Sequence, residues 1–138
     1  MRILLDTNII LDALARREPF NKEAEQIFLY CEDKLISGHL SGNSMADIYY
    51  LLRKHYSDEA IREHLRNLMK LFKIVPVGEK ECDIALHSTI TDFEDALQTA
   101  CAERSAIDYI VTRDSAFIQA CPIAITPAAF INTLAVNS

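Results

Sequence analysis

At 138 residues, half of them apolar and only three of them glycine, the chain has room for one domain and enough material for a buried core, which excludes a disordered polypeptide. No apolar run reaches the roughly 18–20 residues that span a bilayer. Asp6 and Asp12 also interrupt the N-terminal stretch where a secretory signal would be apolar, so the expected location is the cytoplasm, away from membranes. The formal net charge of −6 argues against a uniformly basic, nucleic-acid-coating surface.

In chain order, residues 2–5 read as a short buried strand ending at Asp6. Asn8 suits the N-cap of a helix with Ile9, Leu11 and Leu14 on its inner face, broken by Glu18-Pro19. Residues 20–32 follow as a second helix, with Ala24, Ile27, Phe28 and Cys31 at helical spacing. A strand over 35–40 leads into the loop Ser41-Gly42-Asn43. Ser44 then opens a helix in which Ser44-x-x-Asp47 resembles a capping box. After a turn near Ser57-Asp58 comes a helix with Ile61, Leu65, Leu68, Leu71 and Phe72 on one side. Residues 73–77 read as a strand and 79–88 as a helix. Thr91-x-x-Glu94 marks a capping box for a helix over about 92–104. A strand at 109–112, a short helix at 114–119, a strand at 123–126 and a closing helix from Pro127 complete the chain. Strands and helices alternate throughout without a linker or repeat, which predicts a three-layer α/β/α domain over residues 1–138 around a mainly parallel sheet.

Charge is unevenly distributed. Residues 53–73 carry six basic side chains (Arg53, Lys54, Arg62, Arg66, Lys70, Lys73) against three acids, a candidate phosphate-facing stretch as well as an ordinary solvated helix. Residues 79–108 carry eight acids against two bases. Cys31, Cys82, Cys101 and Cys121 are scattered with no zinc-like spacing and read as reduced thiols, and the four histidines are equally dispersed.

Two aspartates fall just beyond strand ends, where ligands bind in open parallel sheets: Asp6 and Asp114. An acid there serves either as a helix N-cap or as part of a site, since an unpaired buried carboxylate is costly. Asp47 and Asp95 fall near the starts of helices, and Asp92 shares the face of Asp95. Carboxylates converging on one cleft would suit Mg²⁺ or Mn²⁺ and not zinc, and such ions promote phosphodiester hydrolysis.

Four blocks carry a resemblance: Leu-Leu-Asp6-Thr7-Asn8-Ile-Ile-Leu-Asp, Ser44-Met-Ala-Asp47-Ile-Tyr-Tyr-Leu-Leu-Arg, Asp92-Phe-Glu-Asp95-Ala-Leu-Gln and Ile-Val-Thr112-Arg-Asp114-Ser-Ala-Phe117. Their order and spacing resemble PIN-domain proteins, most of all the small VapC-type toxins, along essentially the whole chain. The resemblance implies a metal-dependent endoribonuclease in which Asp6, Asp47, Asp95 and Asp114 bind one or two divalent ions, with Asn8 and Thr112 supporting them through hydrogen bonds. Asp92 is then an extra ligand or a supporting acid. One departure stands out: the family commonly has Glu where this chain has the shorter Asp47. The resemblance also implies an RNA substrate, a homodimer and a small antitoxin protein as partner. Candidate dimer surfaces are Tyr49-Tyr50-Leu51-Leu52 and the helix carrying Leu65 and Leu68, which read equally as core.

The competing expectation is a PIN-like module without catalysis that binds RNA or protein. Phosphotransfer through a nucleophilic Asp6 would call for a second acid two residues later, where Asn8 stands.

Overall fold

The structure is a computed structural model that describes residues 1–137. Five strands, β1 (Arg2–Leu5), β2 (Ser37–Ser41), β3 (Lys73–Val75), β4 (Tyr109–Val111) and β5 (Ala124–Ile125), form one sheet in the order β3-β2-β1-β4-β5. Every pairing is parallel. The connections hold the helices α1 (Thr7–Leu14), α2 (Asn21–Glu32), α3 (Gly42–Leu52), α4 (Asp58–Leu71), α5 (Glu79–Leu86), α6 (Phe93–Arg104), α7 (Ser115–Ala120) and α8 (Pro127–Asn137). This is the expected three-layer α/β/α architecture.

The middle strand shows why the strands read as continuous apolar runs. Ile3 and Leu5 point into a cluster with α1, α2, α3, α4 and α8, through Ile10, Ile27, Ile48, Leu68 and Phe130. Leu4, between them, points into a second cluster with α5, α6 and α7, through Ala85, Leu97, Cys101 and Phe117. Both faces of β1 are therefore dry, and each such side chain contributes about 1.5–3 kcal/mol through burial. α5 and α6 are further tied by Arg104, whose Nε lies 3.3 Å from Oε2 of the buried Glu81.

Several local expectations shift. Asp6, not Asn8, caps α1, which ends at Leu14, before the Glu18-Pro19 break. α3 starts two residues before Ser44, capped by Ser41, whose Oγ accepts from the Ser44 amide at 3.2 Å. Asp47 therefore lies in the second turn of α3, not the first. Asp92 replaces Thr91 as the cap of α6, accepting from the Asp95 amide at 3.0 Å. In each case the preferred cap is the side chain at the strand or loop end that is already extended, which overrides the nearby sequence match. His39, within the expected second strand, is buried on β2, with Nδ1 3.2 Å from the Ile3 carbonyl and 3.1 Å from that of Ser37, and burial lowers its pKa.

The four thiols are free, and Cys31, Cys101 and Cys121 are buried. No helix among the described residues is long and apolar enough to cross a membrane.

At Gly38 the α2–β2–α4 layer leaves no room for a side chain. A Cβ there would lie 2.6 Å from Cδ1 of Phe72 and 2.7 Å from Sγ of Cys31. The Phe72 ring is itself held edge-on to Phe28, at 5.1 Å between centroids. Gly38→Ala is expected to cost about 1–3 kcal/mol through overpacking. In urea denaturation this appears as a lower midpoint with an unchanged slope.

Candidate functional site

The chain changes direction across the sheet between β1 and β4, and it is at such a switch point, beyond the carboxyl ends of the strands, that open parallel sheets bind ligands. Asp6 closes β1 there and is only 8% exposed. Its Oδ1 accepts from the Thr7 amide at 2.8 Å and from Nε2 of Gln98 at 3.0 Å. Its Oδ2 accepts from the Thr112 hydroxyl at 2.7 Å and, more loosely, from Nδ2 of Asn8 at 3.4 Å. Four donors from three separate segments thus hold one carboxylate in a fixed orientation.

The neighbouring elements are wired to this point. Thr7 donates from Oγ1 to Ser44 Oγ at 3.0 Å, and Ser44 Oγ lies 3.2 Å from Ser41 Oγ, so hydroxyls join the end of β1 to the start of α3, the helix carrying Asp47. Beyond β4, Thr112 accepts the Asp114 amide at 3.1 Å while donating to Asp6. Asp114 then caps α7, its Oδ1 accepting from Ala116 at 3.0 Å and Phe117 at 3.4 Å.

Asp6, Asp47, Asp92, Glu94, Asp95 and Asp114 line one open pocket of about 500 Å³, together with Asn8, Gln98, Leu11, Arg17, Tyr50 and Leu51. Thr112 is fully buried beside it, holding Asp6. The donor set suits a hard cation: it is all oxygen, it is strongly acidic, and the amide oxygens of Asn8 and Gln98 are buried without a hydrogen-bond partner. Among the described residues, however, no three His, Cys, Asp or Glu side chains stand close enough to form a ready-made metal-holding group.

All four aspartates read from the sequence as site residues share this pocket, and Asp92 joins them. Glu94 and Gln98 were missed. The apparent Thr91-x-x-Glu94 box had assigned Glu94 to capping, and moving the cap to Asp92 frees its carboxylate for the pocket. Gln98 had a signal: it is the lone amide in the otherwise small or apolar run Ala96-Leu97-Gln98-Thr99-Ala100-Cys101, three residues after Asp95 on the same helix face. The basic stretch 53–73 does not line the pocket. Arg62 and Arg66 are engaged with Asp58 and Glu63 on the exposed side of α4, and Lys70 and Lys73 line a separate cleft at the amino ends of the strands.

Gathering like charges has a measurable consequence. Partial burial, then Asp92, Asp114, Asp6 and Glu94 in turn, push the Asp95 carboxyl up from 3.8 to about 6. Burial, and then Asp47, Asp6 and Asp92, raise that of Glu94. For Asp95 the folded protein therefore holds its proton more tightly than the unfolded chain does. The corresponding stability is fully present below pH 3.8 and is lost as pH rises through about 6. Without added metal, Asp95→Asn is expected to raise the melting temperature at pH 7.5, and the gain should vanish as the pH is lowered towards 3.8. A large drop in melting temperature at pH 7.5 would instead make Asp95 structural.

Comparison with known proteins gives a consistent answer. The family model for the PIN domain matches residues 2–116. Curated proteins searched by sequence give no match. Among solved structures, the chain is similar to one from a toxin-antitoxin complex of Klebsiella pneumoniae, with 20% identity and a TM-score of 0.70 over 91% of this chain and 97% of the other. It is similar to a chain of VapBC2 from Rickettsia felis bound to a promoter DNA fragment, with 18% identity and a TM-score of 0.66 over 91% and 98%. It is also similar to Mycobacterium tuberculosis VapC20, described as a toxin cleaving the sarcin-ricin loop, with 14% identity and a TM-score of 0.68 over 86% and 94%. At these identities the neighbours speak for the fold, and the match over residues 2–116 speaks for the family: the chain belongs to the PIN-domain family.

Proposed function

We propose that this protein is a Mg²⁺- or Mn²⁺-dependent endoribonuclease, acting as the toxin of a toxin–antitoxin pair. The observation that carries this reading is the convergence of six carboxylates in one pocket at the carboxyl end of the sheet. Such a concentration of negative charge opposes folding and is hard to account for as packing. The similarity in fold to a toxin described as cleaving an RNA loop makes RNA the first substrate to test.

In this reading Asp6, Asp47, Asp95 and Asp114 hold the ion or ions. Thr112, Asn8 and Gln98 orient Asp6, and Asp92 lends further charge. The chemistry that a hard divalent ion supplies in such a site is charge neutralisation at the phosphoryl oxygens and acidification of water. The chain's own contribution is a fixed carboxylate at Asp6, surrounded by acids on separate elements that are tied to it through Thr7 and Ser44, Thr112, and Gln98.

An antitoxin partner is supported by the fold shared with chains from toxin–antitoxin complexes. A homodimer would use the exposed part of the Tyr49–Leu52 segment, Tyr50 and Leu51, since Leu52 and Leu68 are core. The competing reading, a module without catalysis, draws on the short Asp47 and on the lack of three carboxylates at metal-holding distance among the described residues.

Purified protein with Mn²⁺ is expected to cleave a panel of single-stranded and structured RNAs, and EDTA should stop it. Asp95→Asn should reduce the rate about 100-fold or more, as expected when a ligating group is lost. Asp95 is a better test than Asp6. An amide at position 6 would turn an NH₂ group towards donors that now serve the carboxylate, so Asp6→Asn should lower stability as well as activity. A folded wild-type protein inert on the panel with either metal would favour the non-catalytic module.

A further inference from the structure

The acid-lined pocket has one basic lining residue among those described, Arg17, and the structure fixes it with unusual care. α1 ends in a Schellman turn. Arg16 adopts the left-handed conformation, with φ 48°, its amide bonds to the Ala13 carbonyl at 3.4 Å, and the Arg17 amide bonds back to the Asp12 carbonyl at 3.0 Å. A left-handed residue other than glycine is disfavoured, so the turn is maintained at some cost by what surrounds it. Its effect is to fold Arg17 back over α1. Arg17 Nε then lies 3.0 Å from Oδ1 of Asp12, and its Nη2 donates to the Asn8 carbonyl at 3.1 Å.

Asp12 is 1% exposed and does not line the pocket, so its carboxylate is the fixed point of this arrangement. Arg113 grips it from the other side, with Nε at 2.6 Å from Oδ2 and Nη2 at 3.0 Å from Oδ1, and lies over the Phe20 ring at 3.8 Å. One carboxylate thus serves two guanidiniums, leaving a local surplus of one positive charge. Arg113 is occupied by the bidentate pair and the ring. The Arg17 side chain is 44% exposed and lines the pocket; its Nη2 donates to Asn8 and its Nε faces Asp12 across the ion pair, which leaves most of the five N–H donors of its guanidinium uncommitted.

We propose that Arg17 binds a backbone phosphate of the nucleic acid that enters the acid-lined pocket, with the Asp12–Arg113 pair holding its guanidinium at the rim. The assignment rests on the nuclease reading for the identity of the ligand. It addresses an electrostatic problem that reading raises: a polyanion approaching six carboxylates needs a cation of the protein's own to set its register, and no residue of the 53–73 basic stretch lines the pocket, Arg53 being stacked instead at 3.8 Å over the ring of the lining Tyr50. Arginine suits this role because its planar fork matches phosphate oxygens while its remaining donors stay engaged with the protein.

The test uses a fluorescein-labelled single-stranded RNA pool. Binding is read by anisotropy with the full-length Asp95→Asn protein over a series of salt concentrations, and cleavage with the otherwise wild-type protein in Mn²⁺. Adding Arg17→Ala is expected to weaken binding about tenfold, the scale of one charge-assisted contact, and to flatten the log–log salt slope by about 0.7. Arg17→Lys should restore the slope and part of the affinity. In cleavage, Arg17→Ala should raise KM more than it lowers kcat. Because Arg113 still pairs with Asp12, Arg17→Ala should melt close to wild type.

Unchanged affinity and slope with Arg17→Ala would overturn the proposal. So would a loss of binding with an unaltered slope and no rescue by lysine, which would assign Arg17 to stability alone. RNA left intact by the wild-type protein, but bound in an Arg17-dependent way, would remove the nuclease reading and leave the phosphate contact standing.

Discussion

Asp6 sits at the end of a strand whose Ile3, Leu4 and Leu5 are fully buried, and its carboxylate would be expensive to bury there unpaired. The structure offsets that cost with donors: a backbone amide from α1, a hydroxyl from the end of β4, an amide from the middle of α6 and a looser one from Asn8. Those donors come from positions up to 106 residues away, so satisfying one group requires β1, β4 and α6 to be in register with each other. The parallel sheet supplies that register, and Asp6 in turn makes deviations from it costly.

Around this fixed group the other acids stand on helices that point their amino ends towards the same place. Asp92 caps α6, with Glu94 and Asp95 in its first turn, and Asp114 caps α7. The positive ends of those helices offset part of the repulsion between the carboxylates. The offset is incomplete, because every charged group acting on Asp95 is another carboxylate, and all of them push its pKa the same way. A fold selected for stability alone would separate these groups. Their crowding in one cleft is what the proposed reading as a metal-holding site accounts for, since like-charge crowding collects where function requires it.

The charge of the chain is also partitioned in space. Acids dominate the pocket at the carboxyl ends of the strands, whereas Arg2, Lys34, Lys70 and Lys73 line a cleft at the amino ends of β1, β2 and β3. There the lysines lie near the carboxyl ends of α2 and α4, whose dipoles favour positive charge, which accounts for them without invoking a ligand. The net charge of −6 thus describes neither face of the sheet edge.

Much of this was legible in the sequence. Alternating apolar strands and amphipathic helices specify an α/β/α layering because both faces of a parallel sheet must be covered, and acids immediately after strands mark its ligand-binding edge. The positions of Asp6 and Asp114 at that edge follow from counting along the chain, whereas Asp47 and Asp95 read only as acids near helix starts and joined them through the family resemblance. What counting cannot supply is partnership. Whether Ser41 or Ser44, and Asp92 or Thr91, caps a helix depends on which residue is already extended when the loop is closed by its neighbours. Glu94 enters the pocket only because of that choice, and Gln98 and Thr112 acquire their meaning from a carboxylate 92 and 106 residues distant. Nothing in the sequence singles out Arg17. The return of the chain at Arg16 and the burial of Asp12, both set by tertiary packing, are what bring it to the acids.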